Sequence, residues 1–309
     1  MLSPVFYILL FIFGLAIGSF LNVVSLRYQD GKGIFSDIYG RSHCMHCGTT
    51  LKWYELLPLV SFVIQGGRCR TCHERLALQY PIVELIAGLI FVFVPLKLIA
   101  FYGRFYSPYL PIFIWVIAFL TLLLMSVIDF RQQIIPDSLN VFIALLGIAL
   151  FFIHLSLFGT VNNITNGSFI GSYSLLLFWG NSLIVNTLLG LIFGLVFIGL
   201  IYVVSLGRGI GFGDVKLAAA AGLLMGWPDI ALALILAFII GAIVGGGLML
   251  FRHKSRRDAV PFGPFIAIGI ALVFFFGFNI LTGYFHIFGI NSVIGSYMGP
   301  LFSGSGLHI

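Results

Sequence analysis

Two kinds of residue in this 309-residue chain are spaced so that they could do chemistry: paired thiols, and carboxylates set in apolar sequence. All four cysteines fall in one stretch, as Cys44-Met45-His46-Cys47 and Cys69-Arg70-Thr71-Cys72, with twenty-one residues between the pairs. A two-residue spacing lets one tight turn present both sulfurs to a single ion, and two such turns complete a tetrahedral, closed zinc site. The gap is slightly above the usual ~15–20 residues, but a longer loop adds little closure entropy. The competing reading is two redox pairs or unpaired thiols. His43, His46 and His73 flank the cysteines; with four thiols available they read as bystanders rather than ligands. Four thiolates leave no open position for substrate or activated water, so the expected zinc is structural.

The acidic residues are few. Asp129 closes an apolar run in Ser126-Val127-Ile128-Asp129-Phe130-Arg131, and Asp214 opens another in Gly211-Phe212-Gly213-Asp214-Val215-Lys216. Two carboxylates that meet in a partly dry site cannot both ionise easily and come to share a proton. Peptide hydrolysis without metal requires that arrangement. One acid takes a proton from the attacking water while the other polarises the carbonyl oxygen. Gly211 and Gly213 remove side chains where an extended substrate backbone could approach. The plain readings are a helix-capping role for Asp214 and an interfacial ion pair with Arg131 for Asp129. Spacing alone leaves these alternatives open. Asp137 follows Pro136 and precedes an apolar run, as a helix-start residue does; Glu84 lies one turn into a span and is either structural or site-lining.

What must position these groups is a membrane bundle. Only 8% of the residues are charged and 60% are hydrophobic, against roughly 25% charged in an ordinary soluble domain. So much apolar surface cannot be hidden behind so few charges, which excludes a soluble enzyme, a nucleic-acid-binding domain and a disordered chain. The fold class expected is an all-α polytopic membrane protein with a small zinc-binding cytosolic insert. Runs of about 20 apolar residues fall near 4–26, 80–101, 109–128, 137–157, 182–206, 214–228, 229–251 and 262–284. That is about eight transmembrane helices, the sixth of them short because Trp227-Pro228-Asp229 interrupts it. The chain divides into a first helix (1–26), the tetracysteine insert (27–79), a helical bundle (80–285) and a tail (286–309).

Orientation follows from the basic residues. With the insert in the cytosol, fourteen of the sixteen lysines and arginines face that side, leaving Lys97 and Arg104 outside. The positive-inside rule selects this arrangement over its reverse. Both termini are then extracytoplasmic. Asp129 and Asp214 fall at the cytosolic ends of their helices, and the cysteines lie in a reducing compartment that favours metal over disulfide.

Together these residues resemble the bacterial type IV prepilin peptidases, membrane aspartic peptidases of the G-x-G-D class. The resemblance runs in order through Gly18-Ser19-Phe20-Leu21-Asn22 with Arg27, the two cysteine pairs, Pro58-Leu59-Val60-Ser61, and Tyr80-Pro81-Ile82-Val83-Glu84. It continues through Asp129 with Ile135-Pro136-Asp137, Gly211-Phe212-Gly213-Asp214, and Pro261-Phe262-Gly263-Pro264. It implies that Asp129 and Asp214 are the catalytic pair, acting through water. It implies prepilin or pseudopilin substrates, cut after a short basic leader at the cytosolic face of the bacterial inner membrane. It further implies N-methylation of the new terminus with S-adenosylmethionine as methyl donor; no nucleotide-binding fingerprint in the sequence identifies the donor's residues. No nucleic-acid partner is expected, only substrate and bilayer.

The rival reading from another class is a proton- or metal-coupled transporter using Asp129, Asp214 and Glu84. It requires acids near the bilayer midplane on opposed broken helices. An inactive assembly scaffold is a third reading, but both aspartates and the glycines before Asp214 are present.

Overall fold

In hydrocarbon every peptide group must find its partner within the protein, so apolar segments of this length fold as helices. The computed structural model describes residues 3–33, 40–102, 108–158, 167–177, 182–250 and 260–288. Among them the helices are α1 (Pro4–Arg27), α2 (Val60–Ile64), α3 (Gln79–Tyr102), α4 (Tyr109–Gln132) and α5 (Asp137–Phe158), followed by α6 (Leu183–Val204), α7 (Phe212–Met225), α8 (Asp229–Leu250) and α9 (Gly263–Ile287). Two isolated bridges, His43 with Thr50 and Arg68 with Arg75, lie within the insert. Arg104, the basic cluster from Arg252 to Arg257 and the tail beyond Phe288 lie outside the described residues.

Seven of these helices are long and apolar enough to cross a membrane. The expected eighth, 214–228, is the 14-residue α7, about 21 Å long at 1.5 Å per residue and short of the ~30 Å hydrocarbon core. It runs antiparallel to α6 and returns the chain to the side where α6 begins. The Tyr202 and Phe212 rings meet at one end of the α6–α7 pair, and the Trp227 N–H donates to the Asn186 carbonyl at the other. α6 and α8 therefore start on the same side, with α7 as the return path. Protein rather than lipid surrounds α7, so its ends need not reach the headgroups. Its close fit rests on glycine: a Cβ on Gly190 would lie 2.5 Å from the Gly222 carbonyl oxygen.

A second seam of small residues joins α1 to α3. A Cβ on Gly14 would meet the backbone of Ala87 and Gly88 at 2.8 Å, and one on Gly18 would sit 2.7 Å from Glu84 Cα. Such small-residue contacts let helix backbones approach where no hydrophobic force separates protein from lipid. α4 is the most enclosed span, with Trp115, Leu122, Met125 and Ile128 fully buried along it. At the end of the bundle away from the insert, Trp115 and Phe274 pack on Phe169. Asp229 holds that loop by accepting from Ser168 Oγ at 2.7 Å and from the Phe169 and Ile170 N–H groups.

Candidate active site and cysteine knuckle

Asp129 lies in the last turn of α4 and Asp214 in the first turn of α7, both buried. The Gly263 N–H, at the start of α9, donates to Asp129 Oδ2 at 2.9 Å. The Gly211 N–H donates to Asp214 Oδ2 at 3.1 Å. Two helix N-termini thus direct their positive ends at the two carboxylates. Ile135, in the turn between α4 and α5, sits between the segments: Cβ atoms built on Gly213 and Gly263 would meet it at 3.0 and 3.3 Å. The aspartates, 85 residues apart in sequence (214 minus 129), are thus brought to the same spot around Ile135, where a Cβ on Gly263 would also meet Asp129 Oδ2 at 2.7 Å.

The plain readings of these acids account for only part of this geometry. Asp214 does cap α7 through Oδ2, but its Oδ1 is buried without a hydrogen-bond partner. An orphaned buried oxygen costs about 1–3 kcal/mol, which a purely capping residue has no reason to bear. Asp129 is bonded to Gly263, whereas Arg131 lines a separate cavity next to the insert. Both glycines before Asp214 have an internal use beside the expected one, Gly211 as donor and Gly213 as a close fit to Ile135. Asp137 begins α5, where both its oxygens accept from Lys216 Nζ at 2.7 Å. Sequence reasoning gave no role to Ile135 as spacer or to the Gly263 N–H as donor; the only signal was their place in the motifs around Pro136 and Pro264.

The cysteines form two matching knuckles. In the first, the Cys44 N–H donates to the Thr49 carbonyl and Gly48 N–H to the Cys44 carbonyl; in the second, the Cys69 N–H donates to Glu74 and His73 N–H to Cys69. Gly48 and His73, each following the second cysteine of its pair, are left-handed at φ 69° and 59°. All four Sγ atoms lie within 4.8 Å of one another, with Cys44–Cys72 at 3.9 Å and Cys47–Cys69 at 4.0 Å. Tetrahedral zinc with ~2.3 Å Zn–S bonds sets sulfurs ~3.8 Å apart, so the cluster fits the ion with little adjustment. Hydrogen bonding with the Thr49 side chain and backbone draws the Cys47 thiol down to about 6, while Cys72 in the same group is pushed up to about 12, so without metal the four thiols divide their protons unevenly. No histidine belongs to the group.

Between the knuckle region and the membrane helices lies a cavity of about 570 Å³, with Ser19 and Asn22 of α1, Tyr80 and Glu84 of α3, and Arg131 in its wall. Glu84 Oε2 accepts the Leu59 N–H of the insert at 2.8 Å. The transporter reading needed Glu84 to join the aspartates; it is bonded to the insert instead.

Residues 12–98 match the family model described as the bacterial peptidase A24 N-terminal domain, and residues 116–246 match the type IV leader peptidase family. A protein from Aeromonas hydrophila is 30% identical over 301 residues, covering 90% of this chain and 93% of its own length. The chain belongs to the type IV leader peptidase family. Relatives from Bacillus subtilis (strain 168), 29% identical over 89% of this chain and 96% of theirs, and from Pseudomonas aeruginosa, 28% over 89% and 92%, are similar along the same extent. All three are named prepilin leader peptidase/N-methyltransferase. No solved structure matches the chain. The family membership agrees with the resemblance carried by the motifs and lends the transporter alternative no support.

Proposed function

We propose that this membrane protein removes the leader from type IV prepilins or pseudopilins and methylates the new N-terminus, with Asp129 and Asp214 as the peptidase pair. The observation that carries the catalytic assignment is the unpartnered Asp214 Oδ1, buried at the helix start that packs with Asp129's segment around Ile135. Water held between the two acids loses a proton to the ionised one as its oxygen attacks the peptide carbonyl. The protonated acid polarises the carbonyl oxygen and then returns a proton to the leaving amine. Gly263 and Gly211 hold one oxygen of each acid, which fixes the other oxygens for this exchange.

In this reading the helix ends bearing the pair, and the insert, face the cytosol of a bacterium, with both termini outside the inner membrane. The first helix, the tetracysteine insert 27–79, the bundle 80–285 and the tail 286–309 are its working parts. A basic leader stays on the charged side while the mature helix remains in the bilayer. Cys44, Cys47, Cys69 and Cys72 would hold a structural Zn²⁺, which stiffens an insert with little core of its own. S-adenosylmethionine, when bound, supplies the methyl group: the amine nitrogen gains the carbon as the carbon–sulfur bond breaks, releasing a thioether and a proton. The cavity bordered by Glu55 and Glu84 suits a cation of that size.

The test is to incubate the purified full chain in detergent with a prepilin and radiolabelled S-adenosylmethionine. Loss of the leader, with label on the processed pilin, is the expected result. An intact prepilin contradicts the peptidase reading. Full cleavage without label contradicts the methyltransferase reading alone.

A further inference from the structure

Glu84 is the one acidic residue of the spans that joins three separate parts of the chain. It belongs to α3, its Oε2 accepts the Leu59 N–H at 2.8 Å, and Gly18 of α1 packs against its Cα. Gly18 makes this possible, since any side chain there would strike Glu84 Cα. Leu59 itself is strained. At φ 58°, ψ −47° it lies near the centre of a classic γ-turn closed by Val60 N–H to Pro58 carbonyl at 2.6 Å, a rare conformation for a branched residue. Strain of this kind persists where the surroundings over-determine it, and it concentrates at binding sites.

Glu84 lines a cavity of about 570 Å³, as do Leu56 and Ser61 on either side of that turn; the volume falls within the ~300–1,000 Å³ of small-molecule sites. Its wall carries charges of both signs, Glu55 and Glu84 against Arg75 and Arg131, together with the Tyr80 and Phe62 rings. A basic leader peptide would meet the two arginines unfavourably. A zwitterionic cation with a planar base finds a partner for each of its parts: carboxylates for sulfonium and ammonium, a guanidinium for its carboxylate, an aromatic face for the ring. The Asn22 side chain donates to the Tyr80 carbonyl at 3.1 Å and so steadies the start of α3. Arg131 stands two residues beyond Asp129 on α4, so the cavity and the carboxylate pair share one helix end.

We propose that this cavity, walled by α1, α3 and the insert, is the binding site for S-adenosylmethionine, with Glu84 as the buried carboxylate facing its cationic part. The inference rests on the methyltransferase reading and goes on to assign the donor's residues. The experiment measures binding rather than turnover. Equilibrium dialysis of the full chain in detergent compares S-adenosylmethionine with S-adenosylhomocysteine, the neutral thioether. Wild type should prefer the cation, and Glu84→Gln, which keeps an acceptor for the Leu59 N–H, should lose at least tenfold in affinity for the cation. The same variant should retain its affinity for the thioether and its zinc content. Ultraviolet crosslinking of labelled S-adenosylmethionine to wild type should mark peptides from the Ser19–Asn22 or Phe62–Tyr80 regions. Unchanged cation binding by Glu84→Gln overturns the assignment. So does crosslinking confined to α5–α9, or displacement of the bound cation by a leader peptide alone. Wild type that binds neither compound overturns the methyltransferase reading and the site with it.

Discussion

Asp214 gives one oxygen to the Gly211 N–H and keeps the other buried without a protein partner, while Asp129 is held from across the bundle by Gly263. The pairing therefore depends on the absence of a side chain at Gly263, where a Cβ would come within 2.7 Å of Asp129 Oδ2. Gly263→Ala is expected to push that carboxylate aside and lower the cleavage rate by about 10²-fold, the scale of a 1 Å misplacement, with zinc content unchanged. Cleavage at the wild-type rate would show that Asp129 need not sit where Gly263 holds it. The two aspartates were legible in the sequence as candidates because charge is scarce in apolar runs and each survivor needs a reason. Ile135 and the Gly263 N–H were not legible as site parts. One is an ordinary apolar residue and the other a backbone group, and both acquire their roles only when α4, α7 and α9 converge.

Helices and knuckles show where spacing carries enough information and where it stops. The Cys-x2-Cys pairs implied a four-thiolate cluster, and the sulfurs do converge within 4.8 Å. Replacing Cys44 and Cys47 together with serine should remove about one zinc ion per chain. It should also make residues 40–78 more open to protease, because the insert has few fully buried apolar side chains beyond Cys44 and Cys69. Unchanged zinc in metal analysis would rule out the knuckle. The glycine seam predicts that Gly18→Leu separates α1 from α3 and lowers the thermal midpoint, as overpacking costs about 1–3 kcal/mol or more; an unaltered midpoint would contradict the close approach. That α7 is shorter than a span was partly readable from Trp227-Pro228. The burial of Asp229 was not, since its partners at Ser168, Phe169 and Ile170 come from a loop about sixty residues upstream.

Taken as a whole, the molecule places its cysteine insert, the Glu84 cavity and both aspartates at one end of the bundle, with an aromatic core sealed by Asp229 at the other. The basic residues predict that the first end is cytosolic. A reporter that works only outside the cytosol should be active when fused after Ile287 and inactive when fused after Val204; the reverse pattern would invert the topology. The helical class and the family were readable from hydropathy and ordered motifs, because those depend on local sequence; of the eight expected spans, seven are long and apolar enough to cross. The course of α7 beside α6 depends on glycine contacts that no hydropathy window registers. The most direct test of the catalytic pair is leader removal from a prepilin by Asp129→Asn and Asp214→Asn, each purified in detergent and shown to retain zinc. Loss of cleavage by at least about 10²–10⁴-fold, the usual share of a catalytic acid or base, is the predicted result for both. Processing at the wild-type rate by either variant would contradict it.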